Sequence, residues 1–298
     1  MKKFMIKLAT FAMLMVAVDF TFGCVFTYLQ NRAPYGNWQR LRYINCEMQD
    51  EVLIMGSSRA SHHYVPQIIE ESLGMSCYNC GVDGNGIVMF LGNIKMFTER
   101  YTPKIIIYDV SGFDTKLDDH TTYLGWQKAF YDHPGVKEIF LDVDSKEQYK
   151  MYSHLYRWNV KFVQLMTDNV AQFVHTEKGY KPLTGVLDYV PGKDKNMITD
   201  AVGEYEYDDV KLRYMEEMMQ ICKDKGIRLI IASSPRYGAT TSEEYAPVYA
   251  MADKYGFTII DHYADSKFSA DNKYFKDSSH MNKEGAEEFT KLVCSLIK

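Results

Sequence analysis

The sequence predicts an α/β protein, a flavodoxin-like three-layer α/β/α sandwich on a five-stranded, mostly parallel sheet with a large insertion after the third strand. Three observations carry that expectation. From Glu51 onward, short β-branched runs alternate with helical patterns, the rhythm of crossover units with helices on both sheet faces. The first run stops at Gly56-Ser57-Ser58, the place where such sheets bind ligands, at the carboxyl ends of their strands. The rhythm breaks once, from Thr115 to about Glu206, and a stretch of about ninety residues is too long for a simple connection.

In chain order, Glu51 to Met55 reads as a buried strand. Pro66 to Leu73 reads as a helix, with proline near its start and Gly74 as its stop. Met75 to Asn79 is a second strand, followed by a glycine-bearing turn and a helix over Ile87 to Tyr101. "KIIIYDV", Lys104 to Val110, is the clearest strand. After the insertion, which is rich in Tyr, His, Lys and Asp and expected to form a partly helical cap beside the strand ends, the pattern resumes. It gives a helix over Asp208 to Lys225, a strand at Ile227 to Ala232, a helix over Glu243 to Tyr255, a strand at Phe257 to His262, and a helix from about Lys283. Aromatic residues within the insertion are read as core rather than as a sugar platform.

Ahead of this domain, Lys2, Lys3 and Lys7 precede an apolar run from Leu8 to about Leu29, long enough to cross a bilayer. Asp19 interrupts it. A central aspartate costs about 2.5 to 3.5 kcal/mol, while each large apolar residue returns about 0.3 to 0.6 kcal/mol, so insertion is feasible. A cleaved signal peptide is the rival reading, but no A-x-A-like site follows. Residues 1–30 are therefore read as an uncleaved anchor and 31–50 as a polar link. Residues 51–298 are read as the α/β domain, with its insertion at about 115–206. Lysines before the run place that domain on the outer face of the membrane, or make it secreted if the segment is cleaved.

Over 298 residues, 46% hydrophobic and 24% charged composition is ordinary for a globular chain and indicates neither disorder nor a polytopic membrane protein. A net charge of -5 gives no reason to expect nucleic acid. Of six cysteines, Cys77 and Cys80 form a C-x-x-C along a strand, where three residues span about 10 Å, too far for a bridge. Buried free thiols are the default for most of the six.

A serine at the end of the first strand sits beside unpaired backbone N–H groups that can stabilise an oxyanion, but a nucleophile needs a base. Among the eight histidines, only His280 combines a suitable location with a carboxylate at useful spacing, Asp277 in "KDSSHMNKEG". That carboxylate can reach the far ring nitrogen, and the loop follows the last strand and so opens on the same sheet edge as Ser58.

With these residues in view, the chain resembles the SGNH/GDSL hydrolase family over about Glu51 to Lys298, apart from the insertion. "IMGSSR" resembles its first block, with Ser58 in the nucleophile position and Ser57 replacing the usual aspartate. "YNCGVDGNG" resembles the second block, with Gly84 as the oxyanion glycine. "IIIYDVSGFD" stands in place of the third block, and "DSSH" matches the fifth, D-x-x-H. The resemblance implies the SGNH hydrolase fold, a Ser58, Asp277, His280 triad, an oxyanion hole from the N–H groups of Ser58 and Gly84, and no metal or organic cofactor. One position departs: Phe113 stands where the family has a hydrogen-bonding asparagine. Loss of such a donor costs about 2.7 to 4 kcal/mol, so either Asn85 or another group replaces it or turnover is slow. The glycine-serine-serine variant and the insertion look more like the membrane-anchored branches, including the teichoic-acid D-alanylation and alginate acetylation proteins. The implied partners are an acylated envelope polysaccharide or another ester, the membrane, and envelope acyl-transfer proteins.

Blander readings stand beside these. Ser57 and Ser58 could simply cap a helix, and Gly81, Gly84 and Gly86 could make a tight turn. Adjacent His62 and His63 diverge in direction and are expected to be packed or solvated rather than catalytic. Arg59 either binds an anionic substrate group or pairs on the surface, and Arg236, in "ASSPRYG", is a second substrate-contact candidate. A catalytically weak glycan-binding or assembly protein on the same fold is the alternative function.

Overall fold

The computed structural model describes residues 1–159, 161–172, 176–188 and 205–298. They form two compact units: Met1–Glu47 with His120–Val174, and Met48–Asp119 with His175–Lys298. The end of the predicted insertion, 189–204, lies outside the described residues.

The second unit holds five parallel strands, β1 (Val52–Gly56), β2 (Cys77–Asn79), β3 (Ile105–Asp109), β4 (Arg228–Ser233) and β5 (Thr258–Asp261), in the order β2-β1-β3-β4-β5. That is the flavodoxin-like order of a doubly wound sheet. β1 and β3 are buried along their whole length, as expected for apolar strands covered on both faces. On one face, Val52, Ile54, Ile105, Ile107, Ile230 and Ala232 share a core with Tyr64, Ile69, Phe289 and Val293, from helices Ser58–His63, Pro66–Leu73 and Lys283–Ile297 and the residue after the first of them. On the other side, helix Asp209–Asp224 packs with Ile87–Arg100 and Ala246–Tyr255. Gly74 ends helix Pro66–Leu73 in the left-handed conformation at φ 67°, which glycine adopts without a Cβ clash. The helix expected over Glu243 to Tyr255 is a 3₁₀ turn, Glu243–Tyr245, before α-helix starts at Ala246. Pro247 lacks an N–H and belongs in a first helical turn.

In the first unit the N-terminal helix runs from Lys2 to Arg32. Residues 31–50 read as a link from their polarity, but they contain helix Gly36–Arg42 and a π-helical turn, Tyr43–Glu47. The physical reason is one apolar side: Trp38, Leu41 and Ile44 are buried, and Trp38 packs edge-on to Trp126 with ring centroids 5.2 Å apart. Part of the predicted insertion joins this unit as helices Pro134–Val143, Glu147–Lys150, His154–Trp158 and Phe162–Val170. Its aromatics Tyr123, Trp126, Phe140 and Trp158 are core, as expected, whereas Tyr149 and Tyr152 are exposed. None of the six cysteines is in a disulfide, and Cys77, Cys80, Cys222 and Cys294 are buried.

Candidate active site

The strand registers bring three chain reversals to one edge. Gly56 pairs with Asp109, and Asp109 with Ala232, so β1, β3 and β4 deliver Ser57-Ser58, Ser111 and Ser234 side by side. Gly56 makes the first reversal at φ +132°, and a Cβ there would lie 2.5 Å from the Asp109 carbonyl oxygen. Helix Ser58–His63 starts immediately after. Ser57 stands at its N-cap position without a side-chain capping bond, and its buried Oγ has no hydrogen-bond partner. Capping therefore does not explain Ser57.

Ser58 Oγ lies 2.7 Å from His280 Nε2. On the other side of the ring, Nδ1 lies 2.9 Å from Asp277 Oδ2 and 3.0 Å from Oδ1. Asp277 is acceptor-only when ionised, so Nδ1 carries the ring proton and Nε2 is left to accept the serine hydroxyl. The D-x-x-H geometry is locally made: Asp277 Oδ1 also accepts the backbone N–H groups of Ser279 and His280, each at 2.9 Å, a self-contained turn of the kind aspartate favours. Burial works against ionisation of Asp277, but the bonds from the His280 ring and the Ser279 N–H outweigh it and hold the carboxyl below its usual range.

Behind this pair lies a buried relay absent from the sequence reading. The Met281 N–H, next in chain to His280, donates to His63 Nε2 at 2.9 Å. A backbone N–H can only donate, so His63 carries its proton on Nδ1 and donates to Ser234 Oγ at 2.9 Å. Ser234 in turn donates to Asp109 Oδ2 at 2.7 Å. His63, on the helix that starts with Ser58, thus fixes the loop that bears His280. Arg59 lies in the cleft wall but is only 6% exposed. Its guanidinium donates to the Val110 carbonyl and to Tyr245 Oη at 3.2 Å, stacks over the Tyr263 ring at 4.9 Å, and lies 3.9 Å from Asp109. With a further bond from the guanidinium to the Ser234 carbonyl at 3.4 Å, these contacts tie the carboxyl ends of β3 and β4 together. His62 diverges from His63, as expected, and donates from Nδ1 to the Lys181 carbonyl at 2.7 Å. Its ring meets His280 edge-on at 5.2 Å.

Burial, together with the His280 and Arg59 charges, holds the His63 pKa well below its usual value. The unfolded chain then binds the extra proton first. His63's contribution is complete above about pH 6.5, its unfolded value, and is lost as pH falls below it, at up to about 1.4 kcal/mol per pH unit. His63→Gln, which keeps an acceptor for the Met281 N–H, is expected to unfold at lower temperature at pH 8. Its melting temperature should also fall less steeply than wild type between pH 6.5 and 5; parallel profiles would contradict the relay.

Ser58 and His280 open on a cavity of about 420 Å³ walled by Ser111, Phe113, Lys116, Arg236 and Tyr263 among others. Burial of Glu244 opposes its ionisation, but the Lys116 ammonium at 2.7 Å keeps its pKa below the usual value. Arg236 donates to Tyr263 Oη at 3.0 Å and faces the cavity. Gly84, at φ +66°, and Asn85 are not in that wall, and Asn85 Nδ2 donates to the Asp83 carbonyl at 2.9 Å within its own turn. Phe113 is in the wall. Its segment is fixed by Asp114, which accepts the N–H of Ile87 at 2.7 Å and of Ser111 at 2.8 Å. An aspartate ending a buried strand, Asp109, and one at capping-box spacing from Ser111, Asp114, were the available sequence signals for these supports.

No family model and no curated protein matches the chain. Among solved structures it is similar to an acetyl xylan esterase at 14% identity and a TM-score of 0.42, covering 83% of this chain and 100% of that one. It is also similar to a gut microbial diltiazem-metabolizing enzyme at 12% identity and a TM-score of 0.38, covering 83% of this chain and 46% of that one.

Proposed function

We propose that the chain is a serine esterase or O-acyltransferase of the SGNH/GDSL type. The observation that carries this is the unbroken line of contacts from Ser58 Oγ to His280 to Asp277 at the mouth of a cavity. Ser58 Oγ attacks the acyl carbonyl carbon as its proton passes to His280 Nε2, and Asp277 stabilises the imidazolium. The tetrahedral oxyanion takes the N–H group of Ser58. Collapse breaks the acyl carbon–oxygen bond, His280 returns its proton to the leaving alcohol, and an acyl-serine remains. Water then gives hydrolysis; a sugar hydroxyl gives transfer. Arg236 is the wall cation placed to meet an anionic substituent on the substrate.

The N-terminal helix, long and apolar enough to cross a membrane by length and composition, supports an anchored enzyme, and the lysines ahead of the apolar run support the outer face of the cytoplasmic membrane. Such an enzyme would act on acyl esters of an envelope glycan. The second reading, a catalytically weak glycan-binding or assembly protein, is favoured by Phe113 at the asparagine position. A fluorophosphonate probe separates the two without a correct acyl donor. The purified full chain in detergent is expected to gain one phosphonyl adduct on the peptide bearing Ser58. Absence of labelling beside a labelled control esterase would remove the enzyme reading.

A further inference from the structure

Asp19 sits in the middle of the apolar N-terminal helix, about 18 Å along the axis from Lys7 and about 20 Å from Arg32 at 1.5 Å per residue. Its carboxylate is fully engaged within its own unit. Oδ1 accepts Ser153 Oγ at 2.7 Å and the Leu155 N–H at 2.9 Å, and Oδ2 accepts the His154 N–H at 2.8 Å. The contact continues along one stripe of the helix. Gly23 is buried so closely against His154 that a Cβ would lie 2.5 Å from that residue's own Cβ. Phe26 packs on Trp158 and Phe162 with ring centroids 6.0 and 5.4 Å apart, and Asn169 Nδ2 donates to the Leu29 carbonyl at 3.3 Å. Ser153 and helices His154–Trp158 and Phe162–Val170 therefore lie alongside the outer half of the anchor, from Asp19 onward.

The outward face of helix Phe162–Val170 is apolar. In helix Phe162–Val170, Leu165 and Asp168 are buried, while Phe162, Val163, Met166 and Val170 are exposed, Val163 at 70% and Val170 at 77%. A surface helix in water puts its polar residues on that side. Here the exposed side continues the apolar surface of the N-terminal helix at Phe22 and Val25, themselves exposed, across the Phe26–Phe162 contact.

We propose that helix Phe162–Val170 is embedded in the outer leaflet of the bilayer that the N-terminal helix spans, with Val163, Met166 and Val170 against acyl chains. The proposal rests on the reading of that helix as a membrane anchor. It explains both oddities together. Hydrocarbon offers Asp19 no donors, and the start of helix His154–Trp158 supplies three. Water disfavours the Val163, Met166, Val170 face, and lipid accepts it.

The test uses the full chain reconstituted into phosphatidylcholine–phosphatidylglycerol vesicles, with the photo-crosslinking residue p-benzoylphenylalanine at one position at a time. Val163 and Val170 are the test positions, Val16 of the N-terminal helix reports on the anchor, and Lys146 reports on water. Val16 and Lys146 are exposed, like the test positions, so replacement leaves the packing intact. Irradiation is expected to add the mass of one phospholipid at Val163, Val170 and Val16, and none at Lys146. A lipid adduct at Val16 without one at Val163 and Val170 overturns the proposal and leaves the anchor standing. A cross-link from Val163 to a second copy of the chain instead of lipid also overturns it. No lipid adduct at Val16 sinks the anchor reading, and this proposal with it.

Discussion

Ser58→Ala is expected to lower kcat for p-nitrophenyl acetate hydrolysis by about 10⁴- to 10⁶-fold, the range seen when a serine nucleophile is removed from a triad. The size of the effect follows from the geometry. Ser58 Oγ is the atom on His280 Nε2 at 2.7 Å, whereas the neighbouring Ser57 Oγ is buried without a partner. Ser57 cannot stand in without reorganising the helix start. The same variant loses one part-buried hydrogen bond, about 0.5 to 1.5 kcal/mol, so its circular dichroism and melting temperature should stay near wild type. A rate within tenfold of wild type would show that Ser58 is not the nucleophile. Hydrolysis falling together with melting temperature would point to a structural role instead.

Gly56→Ala is the second large effect, and it acts on stability. Gly56 at φ +132° occupies backbone space that residues with a Cβ avoid. An added Cβ would also meet the Asp109 carbonyl oxygen at 2.5 Å and the Ala60 Cβ at 3.1 Å. Both neighbours belong to the sheet core or to the helix carrying Ser58, so neither can move alone. Strain plus overpacking should cost about 3 kcal/mol or more, which lowers the melting temperature of a unit this size by about 6 to 12 °C. Because the reversal aims Ser58, fluorophosphonate labelling should slow even below the melting transition. An unchanged melting temperature would mean that the β1 reversal tolerates a side chain and that the close approach is not a constraint.

Much of the architecture is legible in the sequence because its signals are short-range. Proline and glycine bracket Pro66–Leu73, β-branched runs mark Ile105–Asp109 and Arg228–Ser233, and a local turn makes Asp277 face His280. Even the meeting of Ser58 with the His280 loop follows from one general property of parallel sheets, that their carboxyl ends share an edge. Polarity alone misreads residues 31–50, because three buried apolar side chains at helical spacing decide that segment and the charges around them do not.

What the sequence by itself determined, then, is the strand–helix order, the caps and the local Asp277–His280 turn, each set by residues a few positions apart. Only the tertiary structure decided which buried polar groups meet. Met281 N–H reaches His63, Ser234 reaches Asp109, Arg59 turns inward between Tyr245 and Tyr263, and Asp19 receives the start of helix His154–Trp158. The reason is that a buried donor or acceptor must find a partner wherever packing places one, and strand register and helix docking set that place across more than a hundred residues of chain.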